Sequence, residues 1–139
     1  MKIAVINGPN LNLLGKREPG IYGDTSFEDY FLKLKAHYPD VDFSYHQSNV
    51  EGELVDFLQQ EGFESHGILL NAAAYTHTSV AIRDAISAIK APVIEIHISN
   101  IHSRETFRHE SLIAPVCVGS ICGLGLKGYQ LAVEYLLDR

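Results

Sequence analysis

Five apolar runs of strand length, set between helix-period segments and polar loops, constrain the fold of this chain more than any other feature. Lys2–Asn7 (KIAVIN) is rich in β-branched residues and stops at Gly8-Pro9, a pair that favours a loop. The other runs are Val41–Gln47, Gly67–Asn71 (GILLN), Pro92–Ile98 and Pro115–Ile121. Thr25-x-x-Glu28 reads as a capping box, opening a helix with Phe27, Tyr30, Phe31, Leu34 and Tyr38 on one face. Ser48-x-x-Glu51 reads as a second box, with Leu54, Phe57 and Leu58 inward and Gly62 as an ordinary glycine stop. Thr78–Lys90 carries Ile82, Ala85, Ile86 and Ile89 on one face, and Tyr129, Ala132, Val133 and Leu136 mark a last helix.

Strands that read as continuous apolar runs, each followed by a helix, imply a parallel sheet covered on both faces. Five such units predict an α/β, flavodoxin-like, doubly wound five-stranded parallel sheet with helices on both faces. The length of 139 residues leaves room for one domain, 1–139, large enough to fold without a disulfide or metal staple. Hydrophobic residues at 46% and charged residues at 20% exclude disordered and fibrous classes. No apolar run approaches the ~18 residues of a membrane span, and MKIAVINGPN lacks the apolar core of a signal peptide. Cys117 and Cys122 lie close together in an apolar stretch, which reads as buried free thiols in a reducing compartment. The expected location is the cytoplasm. A formal charge of −6 with no basic block argues against nucleic acid as a partner, while a few arginines can still focus a small anion locally.

Ligands of doubly wound sheets bind beyond the carboxyl ends of the strands. The segments there are unusually polar. Asn7–Asp24 holds four glycines and two prolines with Asn10, Asn12, Lys16, Arg17 and Tyr22. After the third strand comes Asn71-Ala-Ala-Ala-Tyr-Thr-His77, and after the fourth Glu95-Ile-His97-Ile98-Ser99-Asn100, then Arg104 and Arg108. Loops this long in a compact domain are usually functional, and one containing glycine hinges can act as a lid. Gly8 and Gly15-Lys16 do not make a phosphate-cradling loop: six residues separate the glycines where four are needed, and Arg17 replaces Ser or Thr. The dinucleotide fingerprint is absent as well. His97, His102 and His109 share a region without a His-x-x-x-His or Cys-x-x-Cys pair, so no metal is expected. His37, His46 and His66 read as satisfied or solvated side chains.

Strand alternation puts Glu95, His97 and Ser99 on one side near a strand end. That arrangement is either a structural hydrogen bond or a carboxylate orienting an imidazole and raising its pKa for general-acid work. Tyr22, beside Gly23, is either a packing residue or a base. As a base it must ionise from a pKa of ~10, and lowering that by two or three units takes roughly 3–4 kcal/mol of preferential stabilisation of the phenolate. Guanidinium groups such as Arg17 and Arg108 are the available source.

Taken together, three segments carry a family resemblance. Asn7-Gly-Pro-Asn-Leu-Asn-Leu-Leu-Gly-x-Arg17-Glu-Pro-x-x-Tyr22-Gly, Ala74-Tyr-Thr-His77-Thr-Ser-x-Ala-x-Arg83-Asp84 and Glu95-Ile-His97-Ile-Ser99-Asn-Ile-His-x-Arg104-x-x-Phe-Arg108 resemble the signatures of type II 3-dehydroquinate dehydratases. The match runs from Lys2 to about Leu137 and includes Gly123-Leu-Gly-Leu-Lys-Gly-Tyr129. Ala72-Ala73 departs from the Pro-Gly or Ala-Gly often found there, which puts the turn geometry in question.

The resemblance implies a hydro-lyase of the shikimate pathway, working without cofactor or metal by anti elimination through an enolate. It implies Tyr22 as base, Arg17 and Arg108 favouring its phenolate, and Asn10 holding a water at the enolate oxygen. It further implies His97, oriented by Glu95, as the acid. Asn71, Ser99 and the Ile98 backbone would then bind the substrate carboxylate, with His77 and Arg108 at the ring hydroxyls. Asp84 is implied to reach a neighbouring subunit's site within a dodecamer of four trimers.

The proton chemistry agrees: a proton beside a ketone needs enolate stabilisation, and the leaving hydroxyl needs a separate acid. Lys16 and Lys127 stand in loop or helix-start settings poor for desolvating an amine, which argues against a Schiff base. A non-enzymatic anion- or protein-binding module of the same fold explains the sheet and arginines but not Tyr22, Glu95 and His97 together. A phosphoryl-receiving regulator would need acidic residues after the first strand, where Asn7 and Gly8 stand.

Overall fold

The computed structural model describes residues 1–16 and 24–139; Arg17 and Tyr22, both singled out above, lie outside the described residues. Five strands, β1 (Lys2–Asn7), β2 (Asp42–Gln47), β3 (Gly67–Asn71), β4 (Val93–His97) and β5 (Gly119–Cys122), alternate with four helices. These are α1 (Phe27–His37), α2 (Glu51–Glu61), α3 (Val80–Ala88) and α4 (Lys127–Asp138). The sheet is parallel throughout, in the order β2-β1-β3-β4-β5. The doubly wound flavodoxin-like expectation therefore holds.

Alternation within the strands builds two cores. Ile3, Val5, Leu69, Ile94 and Ile96 meet Phe27, Phe31 and Leu34 of α1 and Tyr129, Ala132, Val133 and Leu136 of α4. Ala4, Ile6, Ile68, Leu70 and Val93 meet Leu54 and Leu58 of α2 and Ile82, Ala85 and Ile86 of α3. Each fully buried Leu, Ile or Phe contributes roughly 1.5–3 kcal/mol. Among the described residues no helix is long and apolar enough to cross a membrane.

Several boundaries differ from the sequence reading. α1 is capped by Ser26, whose Oγ accepts from the Asp29 amide at 3.1 Å, so the Thr25 box is one residue too early. Ser48 does not cap α2: its hydroxyl accepts from the Val50 amide (2.9 Å) and donates to Glu53 (2.5 Å), turning the chain before the helix. The helix expected from Thr78 begins at Val80, because Ser79 Oγ takes the Ile82 amide. It ends at Ala88, and the Lys90 and Ala91 amides then turn to the Gly62 carbonyl.

Gly62 stops α2 for a reason other than a left-handed cap. Its φ is −65°, and a Cβ there would sit 2.4 Å from Ile89 Cβ. The fifth strand covers Gly119–Cys122 rather than Pro115–Ile121; Ala114–Val116 is a 3-10 turn, which suits the fixed φ of Pro115. Cys117 and Cys122 are half-buried rather than buried. Burial, reinforced by the Glu95 charge, pushes the Cys117 thiol up to about 12 and leaves it unreactive.

Candidate active site

Strand order reverses between β1 and β3, so the loops leaving them part at that point and open a crevice. Asn7 and Asn71, the last residues of these neighbouring strands, stand opposite each other in register. Gly8 then passes so close to β3 that a Cβ would lie 2.7 Å from the Ala72 carbonyl oxygen, while its amide donates to Asn71 O at 2.7 Å. The result is a cleft of about 710 Å³, including its open mouth. Asn10 and Leu14 line it from the β1 side, Asn71, Ala73 and His77 from the β3 side, and His97, Ile98, Ser99, Arg104 and Arg108 from the β4 side. Two arginines and two histidines line it, and among the described lining residues there is neither a carboxylate nor a lysine. A protein with a net charge of −6 thus gathers two guanidinium groups at one cleft, both beside the Glu105 carboxylate at its edge.

The Glu95–His97 pair is real. His97 Nε2 meets Glu95 Oε2 at 2.7 Å, with both side chains buried. A carboxylate only accepts when ionised, so Nε2 carries the proton and Nδ1 is left to the cleft. Burial pushes the Glu95 carboxyl up, but hydrogen bonds from His97, Ser111 and Ser120 outweigh it and hold Glu95 below the usual carboxylate range. The backbone beneath the pair is fixed by the loop after β5, where the Gly123 amide donates to His97 O and the Gly125 amide to Ile98 O.

His77 stacks on His97 with ring centroids 6.4 Å apart. Its Nδ1 lies 2.7 Å from the Glu110 carbonyl oxygen and must donate to it, which turns Nε2 outward. Ser99 Oγ accepts from Arg104 at 3.4 Å, and Arg108 Nε contacts Glu105 at 3.1 Å. Asn10 adopts the left-handed φ of 71°, which asparagine tolerates, and its amide donates to Asn49 Oδ1.

Asn71 is held at both ends, Nδ2 donating to Tyr129 OH (3.2 Å) and Oδ1 accepting from the Ala73 amide (3.1 Å). Tyr129 OH in turn donates to Asn7 Oδ1 at 2.7 Å. Sequence patterning placed Tyr129 on the core face of α4 and missed this second task, for which only its buried hydroxyl is a signal. Arg104 was noticed as part of a motif without a role in the cleft it lines. Asp84 is apart from the rest, on the exposed side of α3 and away from the cleft.

The Ala72-Ala73 turn carries backbone strain. Ala73 has φ of +52°, a conformation that disfavours an L residue by roughly 1–2 kcal/mol. Replacing Ala73 by glycine relieves that strain, offset in part by the greater freedom of glycine in the unfolded chain. The expected net gain is about 0.5–1 kcal/mol, read as a rise of about 3 °C in Tm. An unchanged or lower Tm would show that the turn is not strained.

Fold and cleft together define a doubly wound α/β protein with a buried carboxylate–histidine pair at a polar cleft beyond the strand ends. Comparison with known proteins agrees. The family model described as Dehydroquinase class II matches residues 1–137. A 3-dehydroquinate dehydratase from an Exiguobacterium species is 58% identical, the match covering 100% of this chain and 96% of the relative. The crystal structure of a type II dehydroquinase from Butyrivibrio crossotus aligns with a TM-score of 0.93 at 47% identity, covering 99% of this chain and 97% of that one. The corresponding enzyme from Propionibacterium acnes gives 0.95 at 41%, with the same coverage. The chain belongs to the class II dehydroquinase family and is a hydro-lyase.

Proposed function

We propose that this chain dehydrates 3-dehydroquinate to 3-dehydroshikimate by anti elimination through an enolate. The observation that carries the reading is the buried Glu95–His97 pair presenting Nδ1 to an arginine-lined cleft. Asn71, Ser99 and the Ile98 backbone bind the substrate carboxylate. Since the Ile98 carbonyl already accepts from Gly125, its amide is the group offered. His77 Nε2 and the Arg108 guanidinium hold the ring hydroxyls.

Tyr22, as phenolate, removes the proton beside the ketone, and the C–H electron pair forms the enolate. Arg17 and Arg108 favour the ionised tyrosine, and a water held by Asn10 stabilises the enolate oxygen. Collapse of the enolate forms the carbon–carbon double bond and expels the hydroxyl, which takes a proton from His97 Nδ1 and leaves as water. Transfer of the abstracted proton from Tyr22 back to His97 restores both groups.

Assignment of the base to Tyr22 rests on the family resemblance, and the described tyrosines offer no rival to it. Among the described residues no tyrosine lines the cleft. Tyr129, the one that reaches Asn71, is pushed above its ordinary pKa by burial, as are Tyr30 and Tyr45. Asp84, outside its own cleft, fits a role in a neighbouring subunit's site within a trimer, four of which would form a dodecamer.

The test is ultraviolet absorbance of the conjugated product during incubation with 3-dehydroquinate, with chelator and after borohydride treatment. The expected result is a steady rise unaffected by either reagent, and about 10²–10⁴-fold slower in Tyr22→Phe with the fold intact. No rise from folded, assembled protein would overturn the reading, and equal turnover in Tyr22→Phe would remove the tyrosine base.

A further inference from the structure

The Glu95 carboxylate has more partners than orientation of an imidazole requires. Oε2 accepts from His97 Nε2 at 2.7 Å and from Ser111 Oγ at 2.6 Å, while Oε1 accepts from Ser120 Oγ at 2.5 Å. Ser111 lies in the long loop after β4. Its oxygen also accepts from the Ile113 amide (3.3 Å) and the Ala114 amide (3.0 Å). With both lone pairs taken, its single proton has only the carboxylate to go to. Ser120 faces Glu95 across the β4–β5 register.

A protonated Glu95 would have to donate to a neighbour that already donates to it, so three donors converge on an acceptor-only group. The other groups near the pair leave this unchanged. Cys117 is a neutral thiol, and the Nδ1 proton of His77 points to the Glu110 carbonyl.

We propose that Ser111 and Ser120 are positioning residues of the dehydration. They fix Glu95 as an acceptor and, through it, fix Nε2 of His97 as a donor. Nδ1 is then the one ring nitrogen that exchanges protons in the cleft. The inference rests on His97 as the acid and extends that assignment to two side chains that never touch substrate.

Two readouts on the assembled full chain test it: the ¹⁵N spectrum of the His97 ring and the pH dependence of kcat, each for wild type, Ser120→Ala, Ser111→Ala and Ser120→Thr. Wild type is expected to keep a proton on Nε2 at every pH of the series, with Nδ1 alone gaining and losing one. Ser120→Ala should populate the Nδ1–H tautomer, lower kcat about tenfold with KM within about twofold, and move the acid limb up by about one pH unit. Ser120→Thr, which keeps the hydroxyl, should restore all three. Ser111→Ala should act in the same sense. If the loss of its two backbone contacts unfolds it, Ser120→Ala and its threonine rescue decide the matter.

A tautomer and acid limb unchanged in Ser120→Ala would overturn the proposal even with reduced activity, since a purely structural serine would behave that way. His97→Ala separates the two levels. Normal turnover in that variant defeats the acid assignment and this inference with it, whereas an inactive His97→Ala beside wild-type-like serine variants defeats this inference alone.

Discussion

Replacing His97 by alanine is expected to lower kcat by about 10³-fold while leaving the fold in place. The size follows from what general-acid catalysis typically supplies, about 10²–10⁴-fold. Hydroxide is a poor leaving group at neutral pH, and among the described residues His97 is the buried donor held at the cleft by a carboxylate. The fold survives because Glu95 keeps Ser111 and Ser120, and water can enter from the cleft side to replace the imidazole. KM should change less than about threefold, as binding of the substrate carboxylate is assigned elsewhere. Glu95→Gln is a gentler version. A glutamine removes the negative charge that holds the His97 ring and turns one acceptor position into a donor that Ser120 or Ser111 must reorient to meet, and kcat should fall about 10²-fold. Steady-state rates of both variants beside wild type settle it; a His97→Ala enzyme within tenfold of wild type would place the acid elsewhere.

Much of this site was legible before the structure, because sequence carries strand identity well. Strand ends locate the ligand in a doubly wound sheet, and period-2 alternation pairs Glu95 with His97 without knowledge of any neighbour. Contacts between elements were not legible. Ser120 lies opposite Glu95 only through the parallel β4–β5 register, and that register is set by the packing of β5 rather than by any local pattern. Ser111 and Tyr129 are likewise separated in sequence from the groups they hold, by 16 residues to Glu95 and 58 to Asn71. Cap positions slipped by one or two residues because several serines and threonines compete at each helix start, and backbone geometry selects among them. Gly62 was read as a stop signal, yet its lack of a side chain serves contact with Ile89, which no local rule reveals.

Glu61→Gln should be the most damaging polar substitution outside the cleft, lowering stability by about 2–3 kcal/mol. Glu61, 3% exposed at the end of α2, accepts from Ser44 Oγ (2.6 Å), His46 Nε2 (2.8 Å) and Ser65 Oγ (3.0 Å), with Lys2 Nζ at 4.0 Å. It resembles the Glu95 cluster in chemistry, but neither Glu61 nor these partners line the cleft described above, so its expected consequence is for stability. A glutamine there removes a nearly buried negative charge held by these donors and turns one acceptor position into a donor. Burial pushes the Glu61 carboxyl up, and the hydrogen bonds from Ser44, His46 and Ser65 outweigh it, holding the group below its ordinary value of 4.5. The folded state therefore binds the Glu61 proton less tightly than the unfolded chain does. The stabilisation is complete above the unfolded pKa and is lost as pH falls through the lower folded value. Glu95 acts in the same direction. Urea unfolding of wild type and Glu61→Gln between pH 7 and pH 3 should show curves separated at neutral pH that converge on acidification, as the wild type loses what the variant never had. Parallel curves across that range would mean that Glu61 has the same proton affinity folded and unfolded, and that the serines and His46 do not stabilise its charge.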